Sequence, residues 1–196
     1  MCSHSVYTGG SVGPEGCYRC KNNQNYIDNQ DDETIAKKRL GIVNVGHAGC
    51  GPIAVYNAAV TMGMNVTFDE VLDYYNSHPL KMDAFGLAGT SVDLIVGFFE
   101  PKGYDVICAY NMDSIDALSP LADASILYYK FPRTYFIPKT SFGINAYGAH
   151  FAEYAYSGNG YYAHNIYRTD HFLAPSVFAV EESVYDVVGI FIFEPL

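Results

Sequence analysis

The chain is short of positive charge: 11 Lys and Arg stand against 21 Asp and Glu, a formal balance of −10. That balance argues against nucleic acid or an anionic membrane surface as a partner, since both are held by clustered Lys and Arg. Also missing is any run near the ~20 apolar residues that a membrane span needs. No membrane span is expected, although 18 tyrosines and 12 phenylalanines supply ample apolar bulk. The opening "MCSHSVYTGG" has neither a basic region nor an apolar stretch. No signal peptide is read there, and a cytoplasmic location is expected; a secreted chain whose signal had been removed reads the same way. No repeat with a period of about 20–50 residues occurs.

Cysteine is scarce and odd in number. Cys2, Cys17, Cys20, Cys50 and Cys108 cannot all close into a disulfide framework, and a reducing compartment fits them. Cys108, inside the β-like run "YDVICAYN", reads as buried packing. Cys2, His4, Cys17 and Cys20 together offer the three thiolates and one imidazole of a tetrahedral zinc site. Only one half of that set has CxxC spacing, however. The preferred reading is a polar arm whose cysteines act separately, with no metal and no cofactor.

What is present organises into one domain preceded by an arm. Residues 1–33, rich in Gly, Asn, Asp and Gln, carry little periodicity and read as an irregular arm. The folded domain is expected over 34–196. "DETIAKKRLG" reads as a short helix leading into the core. From Gly51 to Met62, Pro52 sits where a first helical turn tolerates it. Ile53, Tyr56 and Val60 form one stripe there, Ala54, Ala58 and Met62 lie beside it, and Gly63 stops the helix. "TFDEVLDYYNSH" opens on a capping-box pattern, Thr67 with Glu70, and "TSVDLIVGFFEPKG" reads as a further helix closed by Pro101 and Gly103. From Tyr104 the period changes. "YDVICAY" reads as a strand, "MDSIDALSPL" as a short helix, and "SILYYKF", "AHFAEYAYS", "YYAHNIY" and "VVGIFIFEP" as strands. "SGNG" joins the middle pair as a hairpin. The fold class is therefore α+β, a helical N-terminal half packed on a C-terminal antiparallel sheet.

Cys50 stands at the junction of the glycine-containing "NVGHAG" and the buried helix. There the positive end of the helix dipole favours thiolate, and Gly51 leaves room for a substrate to reach the sulfur. A thiol nucleophile also needs a base within hydrogen-bond reach and a group that orients the base. His4, His78 and His171 read as arm, helix-end and loop residues. His47, three residues before Cys50, borders the same loop. His150 opens a strand after the loop-like "GINAYGA", with His164 in the facing strand, and is the candidate base. Asn165, fifteen residues on, lies on the other arm of the hairpin, where its amide oxygen can accept from the imidazole Nδ1–H. Asn44, six residues before Cys50, can aim its amide at the oxygen of an attacked carbonyl and form an oxyanion hole with the Cys50 N–H. Tyr147, Tyr154 and Tyr162 read mostly as core and sheet-face residues.

The stretch "AGCGPIAVYNA", followed by "GAHFAEY" and "HNIY", resembles the papain-like cysteine peptidases. It is closest to the bacterial branch that processes double-glycine leader peptides, and the likeness covers about residues 41–168. The resemblance implies a papain-like catalytic domain with Cys50 as nucleophile, His150 as general base and acid, Asn165 as its orienter and Asn44 as oxyanion donor. A Cys50 thiolate paired with a His150 imidazolium would cleave a peptide or protein substrate through an acyl-enzyme. The sequence departs from the family in carrying asparagine, not glutamine, ahead of the cysteine and in placing Ala149 between glycine and histidine. Relatives often have aspartate as third residue, which makes Asp170 the fallback. The same triad serves amidases and acyltransferases, and a non-catalytic peptide-binding module on this scaffold is a further alternative.

Overall fold

A computed structural model describes residues 26–83, 89–136, 143–156, 161–165 and 185–195. Cys2, His4, Cys17 and Cys20, the "SGNG" turn, Asp170 and His171 lie outside the described residues. Two two-residue strands, β1 (Arg39–Leu40) and β2 (Val43–Asn44), lead into the four-residue helix α1 (Val45–Ala48) and then α2 (Cys50–Thr61). Helix α3 (Phe68–Ser77), a second short antiparallel pair of β3 (Met82–Asp83) with β4 (Gly89–Thr90), and α4 (Val92–Phe99) complete the helical half. The second half is a five-stranded antiparallel sheet built from β5 (Asp105–Ala109), β6 (Ala124–Phe136), β7 (Gly143–Tyr156), β8 (Tyr161–His164) and β9 (Tyr185–Phe193), in the order β5-β9-β6-β7-β8. Helix α5 (Met112–Leu118) follows β5. The mixed α and β architecture expected from the change of period is present.

Every residue of α2 except Tyr56 is buried. Its small side chains at 54, 58 and 59 let neighbouring elements approach closely, and Pro52 falls in the first turn, where an N–H is not needed. Thr67 caps α3 as read: its hydroxyl accepts from the Glu70 N–H while the Glu70 carboxylate accepts from the Thr67 N–H. The sheet presents two apolar faces, as strand alternation demands. Ile126, Phe151, Ile190 and Ile192 pack with α2, α3 and α4, whereas Leu127, Tyr129, Ala152, Tyr154 and Phe191 cluster with Ile115 of α5 on the reverse face.

Three readings are corrected. "DETIAKKRLG" forms turns and the strand β1, not a helix; Gly41, with φ +60, turns the chain into β2. Cys108 is half-buried on β5, at the edge of the sheet. The arm boundary at 33 does not separate residues 26–30 from the body. Tyr26 and Gln30 are buried, and both the N–H and C=O of Ile27 are bonded by the Asn57 side chain of α2. Among the described residues no helix is long and apolar enough to cross a membrane.

Candidate active site

Cys50 is the first residue of α2 and only 8% exposed. The opening N–H groups of a helix have no partner within it; those of Cys50 and Gly51 face the sulfur, and the N–H of Phe151 meets it from β7. That third contact has a topological cause. Among the described residues, β8 pairs with β7 from Glu153↔His164 to Tyr156↔Tyr161 and leaves β7 uncovered at 149–151. Main-chain N–H groups lie in the plane of a sheet, and Cys50 occupies that uncovered margin. Burial still decides the charge: it pushes the thiol above its ordinary value against the pull of the three N–H groups, so the resting sulfur is a neutral thiol. The helix end acts in the direction the sequence suggests but is outweighed.

His150 is fully buried on β7. Ala149 and Phe151, its neighbours in sequence, border the space beside Cys50, whereas His150 shares the reverse face with its cross-strand partner Tyr129, ring centroids 5.7 Å apart and edge to face. Among the described residues no hydrogen bond joins the thiol to the imidazole. His150 Nε2 donates to the main-chain carbonyl of Asn165. A carbonyl can only accept, so this bond fixes the proton on Nε2 and leaves the Nδ1 lone pair as the basic site. Burial holds the imidazole down to about 4, against the Asn165 bond that favours the cation. The resting pair is thus neutral thiol and neutral imidazole, not the ion pair that the resemblance implies.

Asn165 reaches His150 by a different group from the one expected. Its backbone lies in the left-handed region, φ +57, which Asn tolerates better than most residues, and this turns its carbonyl toward the ring. Its amide oxygen accepts instead from the Gln30 N–H at 3.1 Å, while Gln30 Nε2 donates to the Gly46 carbonyl. The segment before β1 therefore ties the end of β8 to the loop that delivers Cys50. Nothing in the composition of "DNQ" signals that role.

Asn44 is exposed, caps α1 by accepting from the His47 N–H at 3.0 Å, and does not border the space beside Cys50. The intervening turn of α1, unread in the sequence, carries it away. His47 is likewise exposed. His78 caps the end of α3, as a helix-end residue should. Tyr154 is buried with its hydroxyl on Ser119 at 3.0 Å.

A cavity of about 240 Å³ opens at Cys50, bordered by Gly89, Thr90, Ser91 and Val92 from the β4–α4 junction and by Tyr128, Ala149 and Phe151 from the sheet. Sequence reading missed the β4–α4 wall entirely. Its signal is Gly51: a β-carbon there would lie 1.9 Å from Thr90 Oγ1. Gly51→Ala is therefore expected to destabilise the fold by about 1–3 kcal/mol through overpacking. Urea denaturation checks this, and parental stability would show that Thr90 does not press on Gly51. In comparisons with models of known protein families and with curated proteins, the chain matched none.

Proposed function

We propose that the chain is a papain-like cysteine peptidase acting on a peptide or protein substrate. The observation that carries this reading is the setting of Cys50: a thiol at the N-terminus of a buried helix, faced by three N–H groups, opening on a cavity beside the strand that bears His150. Because both groups rest neutral, His150 acts as a general base. For Sγ to attack the carbonyl carbon at the margin of β7, the His150 ring turns from the face it shares with Tyr129 toward Cys50, and the thiol proton then passes to Nδ1. The imidazolium, steadied by its Nε2–H bond to the Asn165 carbonyl, then protonates the leaving amine. A water deprotonated by the neutral ring releases the acid and restores the thiol. Asn165 is a positioning residue in this scheme.

The absence of a thiol–imidazole hydrogen bond favours a second reading, a peptide-binding cleft on the same scaffold without turnover. Acylation by p-nitrophenyl acetate, followed by intact-mass measurement, separates the two. A peptidase forms an acetyl adduct on Cys50 that is lost in Cys50→Ala, and His150→Ala slows acylation about 10²-fold or more. A parental protein that forms no adduct leaves the binding reading. If a simple amine acceptor such as glycinamide accumulates as its amide in place of free acid, the activity is that of an acyltransferase.

A further inference from the structure

Asn44 does not border the Cys50 cavity, whereas two hydroxyls without a hydrogen-bond partner do, those of Thr90 and Ser91, and Thr90 is the one that lies against Gly51 at the head of α2. Thr90 is 5% exposed, borders the Cys50 cavity, and its Oγ1 has no hydrogen-bond partner. It presses on Gly51, whose own N–H faces the Cys50 sulfur. Behind it lies Tyr75 of α3, fully buried. Burial holds the Tyr75 phenol well above its ordinary value, with the neighbouring Thr90 hydroxyl pulling the other way, and its Oη makes no hydrogen bond of ordinary geometry. Buried hydroxyls are seldom left unsatisfied, and such exceptions cluster where a ligand completes them. Three in this region, Thr90, Ser91 and Tyr75, call for an acceptor that arrives with the substrate.

The geometry points to Thr90 Oγ1 as the side-chain donor to the oxyanion formed at Cys50, with Tyr75 as its positioning residue. A hydroxyl can accept one hydrogen bond while donating another, so once the substrate oxygen accepts from Thr90, Thr90 can accept from Tyr75 Oη, a bond that neither makes in the resting fold. When Sγ bonds to the carbonyl carbon, the π pair moves to oxygen and the thiol proton to His150. The oxygen then accepts from Thr90 Oγ1 and from the main-chain N–H at the head of α2. Collapse returns the pair to the C=O bond and expels the amine with the proton from His150. The assignment rests on the thiol reading above.

The test uses p-nitrophenyl acetate as acylating probe and iodoacetamide as alkylating probe on the whole chain. Thr90→Val should slow acylation about 10²-fold, and Thr90→Ser should stay within about threefold of the parent. Iodoacetamide displacement at a saturated carbon builds no oxyanion, so alkylation of Cys50 should stay within about twofold in both variants. Thr90→Val should also be at least as stable as the parent in urea, since its lost hydroxyl bonds nothing in the resting fold. If Cys50→Ala abolishes acylation while Thr90→Val acylates at the parental rate, the Thr90 assignment falls and the thiol reading stands. If Thr90→Val and Thr90→Ser are equally slow, the hydroxyl is not the donor. If Cys50→Ala acylates like the parent, the thiol reading fails and takes the Thr90 role with it.

Discussion

Replacing Glu153 with alanine should lower the stability of the folded chain by about 2–4 kcal/mol, the sum of a buried hydroxyl that loses its partner and a cavity opened in the core. Glu153 on β7 is fully buried. One carboxylate oxygen accepts from Thr61 Oγ1 of α2 at 2.7 Å, and the other lies 3.8 Å from Nε2 of His164 on β8. His164 Nδ1 in turn meets the Asp28 carboxylate at 2.7 Å, and its ring stacks on Tyr26 with centroids 3.8 Å apart. Alanine removes the carboxyl group from this set, takes from the Thr61 hydroxyl the oxygen it donates to and opens a void. Glu153→Gln keeps an acceptor for Thr61 and most of the volume, and should lose clearly less. Urea denaturation of the two variants decides it; a loss under about 1 kcal/mol for Glu153→Ala would mean that the cluster relaxes around the gap. The cluster also bears on the site. It holds the end of β8, and the next residue is Asn165, whose carbonyl fixes the His150 tautomer.

These connections separate what sequence can carry from what it cannot. The capping box at Thr67, the burial of the Cys50 helix and the pairing of β7 with β8 all follow from neighbours close in the chain, where side-chain spacing and backbone geometry are coupled. Cys50, His150 and Asn165 were legible as types at suggestive separations. Which atom of Asn165 meets the ring was not, because a single left-handed residue redirects the carbonyl. The side of β7 that His150 occupies follows from alternation, yet its consequence depends on β8 ending at His164, a register that long-range pairing sets. Thr90 and Gln30 were invisible because each acts on a residue far along the chain, and neither lies in a patterned stretch. The four-residue helix α1 was hidden for the opposite reason: it is too short to show a period, although it is enough to take Asn44 away from the cavity.

The stability of the chain should fall by about 3 kcal/mol as pH drops from roughly 6.5 to 4 through His150 alone. The imidazole titrates near 4 in the fold against an ordinary 6.5, chiefly because burial disfavours its cation. Between those values the unfolded chain binds a proton that the folded chain refuses. Stability from this source is therefore complete above about 6.5 and is lost as pH falls through the window. Carboxylates also titrate in acid, so the measurement compares urea unfolding of the parent with His150→Gln across pH 4–8. Glutamine has no such proton to bind, and the stability of the variant relative to the parent should rise by about 3 kcal/mol on going from pH 7 to pH 4. Parallel curves would mean that the imidazole takes its proton in the fold as readily as in water. That outcome would show that burial is not what keeps the imidazole neutral in the fold. A difference confined to the predicted window would instead tie acid sensitivity and general-base chemistry to one cause, the burial of His150 beside Tyr129, which outweighs the opposing pull of the Asn165 carbonyl.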